Sequence, residues 1–448
     1  MAINFRNTYT SSAPLATYRV VFGVMMLISV FRFFYYGWID SLYIQPTYFF
    51  SYYGFEWVKP LGEYTYFLFI LAGISAIGII LGKYFRLNII LFFLSFTYIQ
   101  LMDKTNYLNH YYFISLVAFL MIFLPMNVNY SLDARNPTIR KGEVPTWTIN
   151  SIKILVGVVY FYAGLCKLNS DWLIDAMPLK IWLPSKHYIP LIGGLMDKEY
   201  MPYLFSWAGA IFDLSIPFLL LSKKTRGWAF MGVVVFHVLT WILFPIGMFP
   251  FIMIGGAFIY FSPKWHENLW QKIELISRLN FSYFRTEHAV YQGSIISRFI
   301  VTLLLIFHLI FPWRYLLYPG ELFWTEEGYR FSWRVMLMEK TGYAIFKIKD
   351  TKTNQVFVVD NLDFLTPTQE KQMAFQPDFI LEFAHYLADY YQENKNVHQP
   401  QVFVETFVAL NGRSPQKMID EKVDLNNEED SFRPKKWILP FKGNIKGL

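Results

Sequence analysis

The chain has 448 residues, of which 54% are hydrophobic, 20% aromatic and only 16% charged. Soluble globular domains carry about 25% charged residues, so this deficit, with a mean hydropathy of +0.29, excludes an ordinary soluble enzyme and points to lipid. The net charge of +7 is unevenly placed along the chain, no nucleic-acid partner is expected, and the single cysteine, Cys166, excludes an intrachain disulfide and a cysteine-rich metal site.

The N-terminus lacks a short apolar core followed by a small-residue cleavage site, so no removable signal peptide is expected. Apolar runs long enough to cross about 30 Å of hydrocarbon then recur at nine places: 16–36, 64–82, 86–102, 110–126, 150–166, 203–221, 228–244, 247–262 and 296–318. Lys83 and Arg86, then Arg135, Arg140 and Lys141, then Lys223, Lys224 and Arg226, then Lys264, Lys272, Arg278 and Arg285 fall in alternate connections. The other short connections hold only Lys59 and Lys104, beside a longer segment, 167–202, with four lysines. Cytoplasmic loops are enriched in Lys and Arg, so the N-terminus is expected inside. An odd number of spans then puts everything after Pro319 outside.

Beyond Pro319 the pattern changes. Segments 343–349 and 355–360 read as a hairpin around Asp350–Asn354, 378–393 as an amphipathic helix, and 401–410 as a strand ending at Asn411-Gly412. The expected fold is a membrane all-α bundle of about nine transmembrane helices, residues 1–318. A small extracytoplasmic α/β, β-rich domain follows, residues 319–448. No internal repeat or matched pair of broken spans suggests a transporter.

Ionisable residues near span ends gather on the outer side, and such residues are functional candidates by default. Lys167 closes the run Ile154–Cys166. It reads either as a snorkelling lysine paired with Asp171 four residues on, or as a desolvated amine able to act as a base. His110 and His237 lie at or inside spans four and seven, where a histidine bonded to a neighbouring helix and a catalytic one look alike. Asp213, inside span six, must be protonated or paired. No zinc spacing, phosphate loop, dinucleotide glycine pattern or nucleophile elbow is present.

Four segments in order resemble the vitamin K-dependent γ-glutamyl carboxylase family, whose membrane part is the HTTM domain. They are Asp103-Lys104-Thr105 with Asn109-His110; Tyr160–Leu168 with Asp171-Trp172; Phe212-Asp213-Leu214 with Phe236-His237 and Phe244–Phe249; and Gly328–Trp333. The resemblance implies an enzyme, a carboxylase of the carbon–carbon lyase class. A reduced naphthoquinone is deprotonated and reacts with O2; the resulting alkoxide removes a γ-proton from a glutamyl side chain. The carbanion captures CO2, giving γ-carboxyglutamate, while the quinone leaves as its epoxide. Lys167 is implied as the base that activates the hydroquinone and His110 as the group that steadies the developing oxyanion. Asn109, His237, Asp103, Cys166, Asp171, Trp172 and Met248 are implied around the quinone and substrate pocket, with no metal.

Cys166 stands where animal members carry a second lysine, and Tyr315 where they carry a histidine. The chain ends soon after Phe441, which speaks against recruitment through a propeptide. The short form looks bacterial, in the inner membrane, with menaquinone as the available quinone. A glutamyl protein or peptide, the bilayer and a quinone epoxide reductase are the implied partners. The alternatives are a hydroquinone epoxidase acting on a non-protein substrate, and a non-enzymatic transporter or scaffold.

Overall fold

The computed structural model describes residues 8–447 apart from 279, 282, 287 and 288. Residues 1–7 and 448, the outer limits of the two expected domains, lie outside it. Nine apolar helices form where the nine runs predict them: α1 (Ala13–Tyr35), α2 (Thr65–Leu81), α3 (Phe85–Leu101), α4 (Asn109–Ile122), α5 (Thr146–Leu165), α6 (Met201–Leu221), α7 (Arg226–Leu243), α8 (Phe249–Ala257) and α10 (Ile295–Ile310). Six are long and apolar enough to cross a bilayer, counting 310 turns that extend α2 back to Gly62 and α10 on to Leu317. The other three, Phe85–Leu101, Asn109–Ile122 and Phe249–Tyr260, are shorter, so nine full-length spans are not what forms.

The shortening has local causes. Pro125 can neither donate a helical hydrogen bond nor tolerate a helical residue before it, and α4 stops at Ile122. Gly247 takes a left-handed φ of +58°, which delays α8 to Phe249. At 1.5 Å per residue, α4 is only about 21 Å long.

Two elements depart from expectation. Residues 263–277, expected as an inner loop, form the amphipathic helix α9 (Pro263–Ser277), capped by Ser262 and leaving Leu275 and Ile276 exposed. The segment before α1 forms β1 (Tyr9–Ser11), which pairs antiparallel with β2 (Glu143–Pro145).

The C-terminal region carries a four-stranded antiparallel sheet in the order β4-β3-β5-β6: β3 is Lys340–Lys349, β4 Val356–Val358, β5 Gln401–Leu410 and β6 Gln416–Lys417. The expected hairpin is β3–β4, its turn held by Asp350 accepting from the amides of Lys352 and Thr353. Alternate residues of β5, Val402, Val404, Thr406, Val408 and Leu410, are buried, the period of a strand with one face on a core. That core is completed by α12 (Pro377–Asn394) through Phe379, Ile380, Phe383 and Leu387. A further helix, α11 (Pro367–Met373), starts with a capping box between Thr366 and Gln369. The polar tail is tied down as well, with Trp437 buried and Leu439 N bonded to Met418 O.

Membrane and C-terminal parts share one apolar cluster that runs from Phe50, Trp172 and Leu179 to Phe379 and Phe383. Around it Lys104 Nζ bridges Asp378 (3.0 Å) and Glu382 (2.8 Å), and Arg330 binds Asp378 at 2.7 Å. The C-terminal domain is thereby seated on Phe50, Lys104 and the segment from Trp172 to Leu179.

Candidate active site

Tyr160 and Ala163, three apart on α5, share one face, and Lys167, in the turn just past the helix's last residue with its amide bonded to Gly164 O, lines the same cavity as they do. That face turns towards α6. Gly164 makes the approach possible: a Cβ there would come within 2.7 Å of Leu214 N. The close crossing lets Lys167 Nζ reach Asp213 Oδ2 at 2.8 Å, while also donating to Ala163 O at 3.0 Å. The two side chains are each 8% exposed. The ammonium also lies 5.3 Å from the centre of the Trp172 ring, within cation–π range, and Trp172 is itself fixed by donating to Ser206 O at 2.8 Å.

Lys167, Asp213 and Trp172 line a cavity with an empty volume of about 710 Å³, walled largely by aromatic and aliphatic side chains such as Phe205, Phe236 and Phe244. His237 enters from α7, its Nε2 sharing a 2.8 Å hydrogen bond with the Tyr160 hydroxyl. Its Nδ1 is buried with no partner among the described residues. An apolar slot with a lysine–carboxylate pair and one unsatisfied ring nitrogen fits a flat aromatic molecule carrying an oxygen at its edge.

A second cavity of about 960 Å³ adjoins it and holds His110, Asn109 and Met248. Ile246, Phe249, Val335 and Met336 line both cavities. The Phe249 ring stands between the histidines, its centre 5.9 Å from His110 and 5.8 Å from His237. Val335 and Met336 belong to a stretch in which Phe331, Trp333 and Met336 all have positive φ (+61°, +60° and +54°). Such strain in residues with side chains clusters at functional sites.

The sequence-derived residues therefore fall into three groups. Lys167, Trp172 and His237 meet in one cavity, and His110, Asn109 and Met248 in its neighbour. Asp103, Cys166 and Asp171 line neither. Asp103 accepts from the amides of Thr105 and Phe50 and from Gln369 of the C-terminal domain. Burial pushes its carboxyl up to about 6, against those hydrogen bonds. Cys166 faces a separate void of about 210 Å³ with Tyr315 and Arg334.

Asp171 corrects an expectation, since it does not pair with Lys167. Its fully buried carboxylate takes Arg413 at 2.6 and 2.7 Å and Asn411 at 2.7 Å. The reason is that α5 ends at Leu165 and Asn169 caps a new turn through Trp172 N, so four-residue spacing no longer means one helical face. Asp213 as the lysine's partner and Tyr160 as the histidine's were not assigned from sequence. Tyr160 was detectable seven residues before Lys167, on the face of α5 that it shares with Ala163.

This arrangement defines a class: a multi-span helical membrane protein with a β-sheet domain capping paired cavities at the bundle's end. Residues 7–265, more than half of the chain, match the HTTM domain, and residues 294–444 match the lumenal domain of vitamin K-dependent gamma-carboxylase. No solved structure matches the chain. The chain belongs to the vitamin K-dependent γ-glutamyl carboxylase family. The match supports a carboxylase with a vitamin K cofactor in general terms, and a multi-pass protein whose C-terminal domain is extracytoplasmic.

Proposed function

We propose that the protein converts glutamyl residues of a protein or peptide to γ-carboxyglutamate, using a menaquinone-type hydroquinone with O2 and CO2. When bound, the hydroquinone would supply with O2 the strong base of the reaction, its product being the epoxide that a separate reductase would recycle. The observation that carries the reading is the buried Lys167–Asp213 pair at the floor of an apolar cavity.

Lys167 Nζ takes the hydroxyl proton and passes one of its own to Asp213 Oδ2, so the pair as a unit accepts one proton. The ammonium that remains is held beside the new anion, in surroundings that weaken neither charge by hydration. Trp172 holds the ammonium in place through its ring face. His110, across Phe249, would help hold and orient the bound quinone, and His237 Nδ1 would offer it a further hydrogen bond. Asn109 steadies the roof by donating to Arg334 O at 3.0 Å.

In this reading residues 1–318 form the membrane part and 319–448 the outer domain. All nine apolar helices enter the bilayer of a bacterial inner membrane, with the N-terminus cytoplasmic. Three of them are short enough to let the site sit at the membrane surface.

The test is incubation of the purified chain with reduced vitamin K, bicarbonate and a glutamyl peptide, following γ-carboxyglutamate and epoxide. Lys167→Ala is expected to abolish both products, and unchanged activity would remove Lys167 as the base. Epoxide without any peptide-dependent product would instead select a hydroquinone epoxidase.

A further inference from the structure

The two cavities differ in charge. The one containing Lys167 also contains Asp213 and is balanced. The one containing His110 is lined by a single formally charged residue, Arg32, and by no carboxylate. Arg32 lies in the last turn of α1 and makes no ion pair among the described residues. Two aromatic rings hold it in place, those of Trp38 and Tyr36, with centres 5.3 and 5.8 Å from the guanidinium carbon. The remaining wall is apolar or neutral: Phe33, Met248 and Phe249 beside Asn109 and His110.

A guanidinium with free donors at the edge of an otherwise uncharged cavity is built for a carboxylate on an apolar stem, which it can grip with two parallel hydrogen bonds. We infer that Arg32 binds the γ-carboxylate of the glutamyl substrate and makes the His110 cavity the substrate subsite, leaving the Lys167 cavity to the quinone. The inference rests on the carboxylase reading and extends it. It also gives Arg32 a role in the chemistry. When the Cγ–H bond breaks, the proton leaves to the base and the electron pair stays on Cγ, so the side chain gains a second negative charge beside its carboxylate. A fixed cation there favours that dianion over the starting anion.

The same guanidinium could alternatively meet a phospholipid headgroup, and one experiment separates the two anions. The full-length protein in nanodiscs is titrated, without quinone, with a capped tripeptide carrying central glutamate and with the same tripeptide carrying glutamine. The wild type is expected to prefer glutamate by about 10- to 100-fold, the worth of a hydrogen bond to a charged group. Arg32→Gln should lose that preference, while Arg32→Lys, which keeps the charge and guards against misfolding, should retain part of it. If Arg32→Gln discriminates as well as the wild type, the inference falls and the carboxylase reading stands. Loss of co-purified anionic lipid with discrimination intact would mark Arg32 as a lipid contact and likewise overturn it. If the wild type itself does not distinguish the peptides, the glutamyl reading fails and takes the inference with it.

Discussion

Lys167 and Asp213 are 2.8 Å apart and each 8% exposed, so neither can lose its partner cheaply. Removing one member of a buried ion pair leaves an uncompensated charge, at a cost of about 3–5 kcal/mol, whereas replacing both with apolar groups is often neutral. Asp213→Leu alone is therefore expected to lower the thermal unfolding temperature sharply. The double variant Lys167→Met/Asp213→Leu should regain most of that loss while making no carboxylated product. A double variant as unstable as the single one would show that the pair is not what holds this crossing. Each of the two residues is visible in the sequence as an ionisable group in apolar surroundings. Their pairing is not visible, because it depends on two helices meeting across 46 residues of chain. The nearer candidate, Asp171, looks right only if α5 continues past Leu165.

The α5–α6 crossing depends on backbone proximity, and two glycines at the site differ in what they allow. A Cβ on Gly164 would meet Leu214 N at 2.7 Å, while one on Gly209 would lie 3.8 Å from Trp172 and 3.9 Å from the Lys167 side chain. Gly164→Ala should push the helices apart, destabilise by about 1–3 kcal/mol through overpacking and lower turnover. Gly209→Ala adds a methyl in ordinary contact and gains helix propensity. It should fold at least as well as the wild type. Equal unfolding temperatures for the two variants would contradict the argument. At this scale the sequence locates apolar helices well, since a long apolar run survives any tertiary detail. It fails where polarity conceals regularity: α9 is as charged as a loop, and β1–β2 pairs segments more than 130 residues apart. The helices are shorter than their apolar runs at Pro125 and Gly247, where local backbone chemistry cuts off a run that composition alone would continue.

Sidedness belongs to the whole molecule. Cys166 is the sole cysteine and is buried, so a background with Cys166→Ser can carry one new cysteine at a time. A membrane-impermeant thiol reagent applied from outside should label Thr353→Cys in the β3–β4 turn and spare Lys224→Cys between α6 and α7; both positions are exposed. The reverse pattern would invert the topology. The joint between the two parts carries its own pH signature. Burial alone would raise the Asp378 carboxyl, but Arg330 and Lys104 outweigh it and hold Asp378 well below the usual carboxylate range. A carboxyl depressed by folding contributes stability that is present above its unfolded value of about 3.9 and is lost as pH falls below that. About a quarter of the Asp378 side chain stays exposed, so solvent screening reduces the effect without changing its sign. Asp103 works the other way. Raised to about 6, it binds its proton more readily in the folded state, so between pH 6 and pH 4 it favours the docked form as acid is added. Docking is therefore expected to hold or tighten slightly from pH 7 to about 4 and to loosen only below that. Hydrogen exchange in α12 and in residues 47–52, read across that range, checks the expectation. Loosening with a midpoint between pH 5 and 6 would mean that a histidine, and not the Asp378 cluster, controls the seat of the outer domain.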